Sequence, residues 1–169
     1  ARIIYCSDPS IHITAVEKDE RIVKLAKTHF RENLKGVEVI VGDAATFVKS
    51  TKATVYDAVV VDVFDGMVVP SHFYSTDFFS DVLKCLTDLG SVIMNVAPMT
   101  LVGAVGASMR QAGFKSAIAF PVVNELQDTG STIVWGMVNG DAAISDAISD
   151  AIPVHLKLGW ARRWSIGSI

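Results

Sequence analysis

Residues 57–70, DAVVVDVFDGMVVP, decide how the rest of this chain is read. Ala58 to Val61 and then Val63 form a small, mostly β-branched run too short for a helix. Asp62 interrupts it, and Asp65, Gly66 and Pro70 follow as loop chemistry. The pattern predicts a buried strand, Tyr56 to Val63, ending in carboxylates. In an open parallel α/β sheet, ligands collect in the crevice beyond the carboxyl ends of the strands, so Asp62 and Asp65 mark where chemistry is expected.

Towards the amino terminus, two strand–turn–helix units precede this stretch. Ile11 to Val16 (IHITAV) alternates and reads as a strand stopping at Glu17-Lys18-Asp19. Asp19 or Glu20 then caps a helix over Arg21 to Asn33, with Ile22, Leu25, Ala26 and Phe30 at helical spacing and Gly36 beyond its end. Val37 to Val41 is a second strand, Gly42-Asp43 a turn, and Ala44 to Ser50 a short helix with Phe47 and Val48 inward. Ala1 to Tyr5 reads as the last turn of a helix, closed by the turn cluster Ser7-Asp8-Pro9-Ser10.

Towards the carboxyl terminus, Tyr74 to Leu89 reads as an amphipathic helix capped by Ser75 or Thr76, with Phe78, Phe79, Val82, Leu83 and Leu86 on one face and Gly90 ending it. Ser91 to Val96 is a strand. Leu101 to Ala112 is a Gly/Ala-rich helix whose Gly103 and Gly106 would let it lie close to the sheet; its GAVG lacks the spacing of a phosphate loop. Ser116 to Val123 and Thr132 to Val138 form a hairpin around the polar turn NELQDTGS. The sum is an α/β three-layer sandwich, mostly parallel, with right-handed crossovers and a carboxyl-terminal antiparallel hairpin.

Composition removes several function classes. A chain of 169 residues, 50% hydrophobic, with mean hydropathy +0.39, has ample material for one core. Fifteen basic and eighteen acidic residues give a formal charge of −3, with no basic cluster interleaved with aromatics, so nucleic acid is not an expected partner. Cys6 and Cys85 form no CxxC pair, which argues against a zinc site and fits a reducing compartment; no metal is expected. No apolar run approaches the ~20 residues that span a bilayer.

Glu17, at a strand end, has the chemistry to accept two hydrogen bonds from a ribose diol; as a lone charge it equally suits the next helix's dipole. Asp43 suits an exocyclic amine such as adenine N6, or equally a helix N-cap. AVEKD, VGDA about 25 residues further on, and DAVVVDVFDG followed by a Pro and an aromatic-rich helix come in an order that resembles the spermidine synthase family. That family lies within the class I S-adenosylmethionine-dependent methyltransferase fold, which is Rossmann-like, and the resemblance runs from about Ile11 to Val138.

The resemblance implies that Glu17 holds the nucleoside ribose and that Asp43 with the Ala44 backbone reads adenine. It implies S-adenosylmethionine or its decarboxylated form as donor, Asp62 as the carboxylate taking a proton from the attacking amine, and Asp65 as the one binding the amine chain. An ammonium is no nucleophile, so a carboxylate at the transfer point both attracts it and takes its proton. Tyr74 is a further candidate substrate contact, or a packing residue at a helix start; His72 is a base, a substrate contact or an exposed loop residue. The family's polyamine synthases carry an Asp-Ser-Ser-Asp-Pro type loop where this chain has Asp62-Val63-Phe64-Asp65-Gly66-Met67. No Gly-rich turn precedes Glu17, so the expectation is a domain truncated at its amino terminus, over residues 1–138, followed by an extension, 139–169.

That extension ends in LGWARRWSIGSI, where Trp160 and Trp164 bracket Arg162 and Arg163, either a contact surface or a strap on its own domain. Two functions are therefore expected. One is a transferase moving an aminopropyl or methyl group to a small-molecule or protein amine. The other is a non-catalytic member of the family serving as a subunit of a larger assembly. The expected assembly state is a homo-oligomer or such a subunit.

Overall fold

Parallel strand pairs built on β-branched runs organise the protein. The computed structural model describes residues 8–29, 36–52, 54–124, 127–140 and 164–165. Contacts divide the chain into two units, Ala1–Thr51 and Lys52–Ile169.

In the first unit, β1 (Ile13–Glu17) pairs in parallel with β2 (Val37–Val41), in the register Ile13↔Val37 to Glu17↔Val41. Helix α1 (Glu20–His29) lies between them in sequence and α2 (Ala44–Ser50) follows β2. Asp19 starts α1: its carboxylate accepts the Arg21 N–H at 2.8 Å and its carbonyl accepts Ile22 N–H at 3.0 Å. The inward stripe of α1 differs from expectation. Val23 is buried, whereas Ile22 and Leu25 are 52% and 56% exposed. Val23 and Ala26 are three apart and share a face, so the true stripe is offset by one position from Ile22 and Leu25. Phe30, the remaining expected core position, and Ala1 to Tyr5 lie outside the described residues.

In the second unit, five strands follow the order β3-β4-β6-β5-β7: β3 (Tyr56–Val61), β4 (Leu86–Val96), β5 (Ser116–Asn124), β6 (Gln127–Met137) and β7 (Trp164–Ser165). β3 and β4 are parallel; β4–β6, β5–β6 and β5–β7 are antiparallel. Helices α3 (Thr76–Cys85) and α4 (Val102–Ala112) supply Phe79, Val82, Val105 and Met109 to a core shared with Val61, Val92, Met94, Val96 and Val134. Glycine at position 136 leaves room for α4 against the helix-facing side of the sheet. A Cβ there would stand 3.0 Å from both Met109 Sδ and Val92 Cγ1. α4 ends in a Schellman arrangement at Gly113, φ 113°, with Gly113 N–H on Arg110 O and Phe114 N–H on Met109 O.

Several expectations fail here, most of them because of pairing with distant parts of the chain. The helix beginning near Tyr74 is split into a 3₁₀ turn, Ser71–Tyr74, and α3, capped by Ser75 Oγ accepting Phe78 N–H at 3.2 Å. It stops at Cys85 rather than Leu89, because Leu86 already pairs with Tyr56. The next pair is Ala58↔Ser91, so the register shifts there, with Thr87–Gly90 opposite Asp57 alone, a larger irregularity than a two-against-one bulge. Gly90 belongs to that irregularity, where a Cβ would lie 2.8 Å from Thr87 O. The turn NELQDTGS is mostly strand, since β5 and β6 run through it. Finally, β3 is not buried on both faces: Val61 is buried, yet Val60 is 59% exposed. Among the described residues β3 pairs only with β4, so it alternates like an edge strand. Of the two glycines proposed for close packing of α4, Gly106 is buried, while Gly103 is exposed with nothing near its Cβ direction.

Candidate active site

The parallel ladder of the first unit continues one step beyond β2, with Gly42 N–H donating to Glu17 O at 2.9 Å. Glu17 and the Gly42-Asp43 turn thus sit at neighbouring strand ends, as the sequence predicts. Glu17 Oε1 accepts the Asp19 N–H at 2.8 Å, which fixes the carboxylate at the tip. Its Oε2 accepts no hydrogen bond among the described residues, so one oriented acceptor remains for a hydroxyl. Asp43 is an N-cap: Oδ1 accepts Thr46 N–H at 2.8 Å and Thr46 Oγ1–H at 2.9 Å. Ala44 opens α2, where the helix repeat supplies no partner for a backbone N–H. An acceptor fixed by its own chain, a capped turn and an open helix amide suit the hydroxyls and ring edge of a nucleoside. Beside them, the Arg21 guanidinium pairs with Asp19 at 2.6 Å and, with the Arg21 N–H, holds that carboxyl down to about 2.

In the second unit, β3 ends at Val61, so Asp62 is the first residue past the strand rather than a member of it. It is exposed, and Asn95 Nδ2 donates to its Oδ1 at 3.1 Å. The register Val61↔Met94, continued by one, places Asp62 opposite Asn95. Asp65 begins a two-residue hairpin turn, with Asp65 N–H on Val68 O at 2.9 Å and Val68 N–H on Asp65 O at 3.3 Å. Gly66 takes φ +62° at the first central position, the requirement of a type II′ turn. Phe64, Met67 and Val68 are 40%, 74% and 49% exposed around the two carboxylates, and Val69 then re-enters the core.

Tyr74 is half-buried in the 3₁₀ turn, and His72 is exposed, its ring 4.3 Å from Phe73. An aromatic series, Phe73–Phe78–Phe79–Phe114, with centroid separations of 5.2, 5.6 and 6.3 Å, ties the end of this loop into the core. The structure thus gathers Glu17 with Asp43 and Ala44 in one unit, and Asp62 with Asp65 on one loop of the other.

Asn95 is the residue that sequence reasoning missed. Its signal is a lone amide in the apolar run SVIMNV, at the end of the strand parallel to the one that carries Asp62. Trp160, Arg162 and Arg163 of the extension lie outside the described residues, and β7 places the backbone of Trp164 against β5.

Acidic tips on parallel strands, with a carboxyl-terminal antiparallel hairpin, define a Rossmann-like protein of the class I methyltransferase fold. The crystal structure of a probable spermidine synthase from Corynebacterium glutamicum superposes with a TM-score of 0.76 at 21% identity, over 97% of this chain and 61% of that one. That of the Thermotoga maritima spermidine synthase gives 0.65 at 12% identity, over 80% of this chain and 49% of that one. Residues 8–137 match the spermine/spermidine synthase domain, and the chain belongs to that family.

It is 30% identical over 149 residues to polyamine aminopropyltransferase 2 of Hyperthermus butylicus, covering 83% of this chain and 47% of that protein. It is also 30% identical over 122 residues to putrescine N-methyltransferase 2 of Nicotiana attenuata, covering 66% of this chain and 33% of that protein. The chain thus spans about half the length, or less, of these curated relatives. No helix among the described residues is long and apolar enough to cross a membrane.

Proposed function

We propose that this protein is a transferase that moves an aminopropyl or methyl group from decarboxylated S-adenosylmethionine or S-adenosylmethionine to an amine, most simply a small polyamine. The observation that carries the reading is Asp62, an exposed carboxylate at the carboxyl end of a parallel strand, held by Asn95. Both named activities among the relatives, aminopropyl transfer and putrescine N-methylation, join a carbon to an amine nitrogen.

When bound, the sulfonium donor supplies an electrophilic carbon. Asp62 draws the ammonium in and takes its proton, freeing the nitrogen lone pair to bond to that carbon. The donor would supply the leaving group as well, a neutral thioether that carries off the electron pair of the carbon–sulfur bond. Asp65 offers a second negative charge for another ammonium of the same chain. The exposed side chains of Phe64, Met67 and Val68 offer apolar contact to the methylenes between. Glu17 holds ribose hydroxyls through Oε2, and Asp43 with the Ala44 N–H faces the adenine edge.

The test is calorimetric titration of the folded, full-length protein with S-adenosylmethionine, its decarboxylated form and 5′-methylthioadenosine. Binding of at least one, weakened about tenfold or more by Glu17→Gln, supports the reading; the amide oxygen still accepts the Asp19 N–H but no longer brings a charge to the diol. No heat with any of the three overturns it.

A further inference from the structure

Helices α3 and α4 cover one face of the second unit's sheet, where Val92, Met94 and Val134 are buried. No helix among the described residues of that unit lies on the other face. The register shows what that face carries. Ile93, Trp135 and Ile118 stand side by side, and next to them Asn95, Ile133 and Phe120. The Phe120 and Trp135 rings are 6.5 Å apart. Trp135 Nε1 and Ser116 Oγ, on the same face, are buried without a hydrogen-bond partner, whereas an open face would leave them to water. The result is an apolar patch over β5 and β6, and the direction of the chain decides what covers it.

Strands β6 and β7 each run antiparallel to β5, which lies between them, so they are parallel to one another. Parallel strands are joined by a crossover of a dozen or more residues, right-handed in nearly every case. The steps from β3 to β4 and from β4 to β5 are also parallel crossovers, taken in one direction along the sheet, and both carry their helices on the same face. The step from β6 to β7 goes the same way, but its strands point oppositely. A right-handed connection there must pass over the other face, the one that carries Trp135 and Phe120. We infer that residues 141–152, DAAISDAISDAI, form an amphipathic helix docked on the β5–β6 patch as the third layer of this unit. Ile144, Ile148 and Ile152 recur every four residues and share a helical face with Ala147 and Ala151, while Ser145, Asp146, Ser149 and Asp150 fall on the opposite one. Asp141 suits the cap and Pro153 the stop. At 1.5 Å per residue such a helix is ~18 Å long, and residues 153–163 then lead to Trp164 beside Ala119. The carboxyl-terminal extension is thereby a layer of its own domain, seated on this patch through its isoleucines.

The experiment places the photo-crosslinker p-benzoylphenylalanine at position 120 of the full-length protein, an aromatic in place of an aromatic. After irradiation, Asp-N digestion cuts before Asp128 and Asp141 and so separates the β5 peptide from the segment in question. The expected product is a cross-link within one chain, from position 120 to a peptide of 141–163. Thermal melts read the docking independently of the crosslinker. Ile148→Ala should lower the midpoint by about 4 °C or more, as loss of a buried isoleucine does, while Ser149→Ala on the outward face should leave it within about 1 °C. Cross-links that run instead to residues 8–51 or to a second copy of the chain would give the patch another occupant and overturn the inference. So would the absence of any cross-link to 141–163 together with equal midpoints for the two alanine variants.

Discussion

Asp43 caps α2 in the structure and carries the adenine-reading role proposed above, and substitution can separate the two. In the structure it is the N-cap of α2, accepting Thr46 N–H at 2.8 Å and Thr46 Oγ1–H at 2.9 Å. That helix has seven residues and buries none of them fully, so its order depends on the cap more than on packing. Asp43→Ala removes both bonds and should cost about 1 kcal/mol, towards 2 at the upper end of measured caps. At roughly 2–4 °C per kcal/mol for a chain of this size, the midpoint of thermal unfolding should fall by about 2–8 °C. Asp43→Asn keeps an oxygen in the capping position and should cost only a few tenths of a kcal/mol.

The variants part company in ligand binding. Asparagine keeps an oxygen for the cap but brings no negative charge, so under the proposed role it should retain stability yet bind adenosyl ligands about tenfold more weakly. Alanine should lose both. Circular dichroism melts and amide exchange at Thr46 report the first effect, and titration with 5′-methylthioadenosine the second. An alanine variant as stable as the wild type, with Thr46 exchange unchanged, would refute the capping argument. An asparagine variant binding normally would refute the adenine-reading role.

Gly136→Ala should destabilise the second unit by about 1–3 kcal/mol, because the new methyl meets Val92 Cγ1 and Met109 Sδ at 3.0 Å and Phe114 Cδ1 at 3.3 Å. At ~3 °C per kcal/mol that is roughly 3–9 °C in the melting midpoint, and an unchanged or higher midpoint would show that α4 stands further from the sheet. The Asp19 carboxyl should titrate near 2 by carbon-detected NMR, held down by the Arg21 side chain and then by its N–H. Because the folded value lies below the ordinary 3.8, any stability this group lends is fully present above about pH 4 and disappears as pH falls through about 2. Arg21→Ala should raise the titration point while leaving it below the ordinary range, since the backbone donor at position 21 remains; titration near 4 in the wild type would contradict the pairing.

Strand and helix identities were largely legible because local chemistry and tertiary role agree. Val37–Val41 and Ala44–Ser50 fall where period and capping residues place them. What escaped was set by partners distant in sequence. Leu86 continues the apolar spacing of α3, yet its backbone is claimed by Tyr56, thirty residues earlier, so helix becomes strand and Gly90 falls where the register shifts. Ile22 and Leu25 share a helical face as convincingly as Val23 and Ala26, and only packing selects between them. The hairpin turn was overestimated because polar residues such as Gln127 to Ser131 remain in the ladder when cross-strand bonds reward it.

At the candidate site the same division holds, with a functional consequence. Carboxylates at strand tips are visible in sequence because a charge interrupts an apolar run, which made Glu17, Asp43, Asp62 and Asp65 readable as candidates. Their partners are not visible in the same way. Asn95 lies thirty-three residues from Asp62 and becomes its neighbour only through parallel pairing of β3 with β4. A one-residue slip in that pairing would turn Asn95 to the opposite face of the sheet, among Val92, Met94 and Val96, and leave Asp62 without its donor. The register is held against such a slip by the alternation itself, since Val61 and Met94 are buried together on the helix-facing side. Core packing on one face of this sheet therefore aligns the polar pair on the other, and a substitution that disturbs Val61 or Met94 should be felt at Asp62 without touching it.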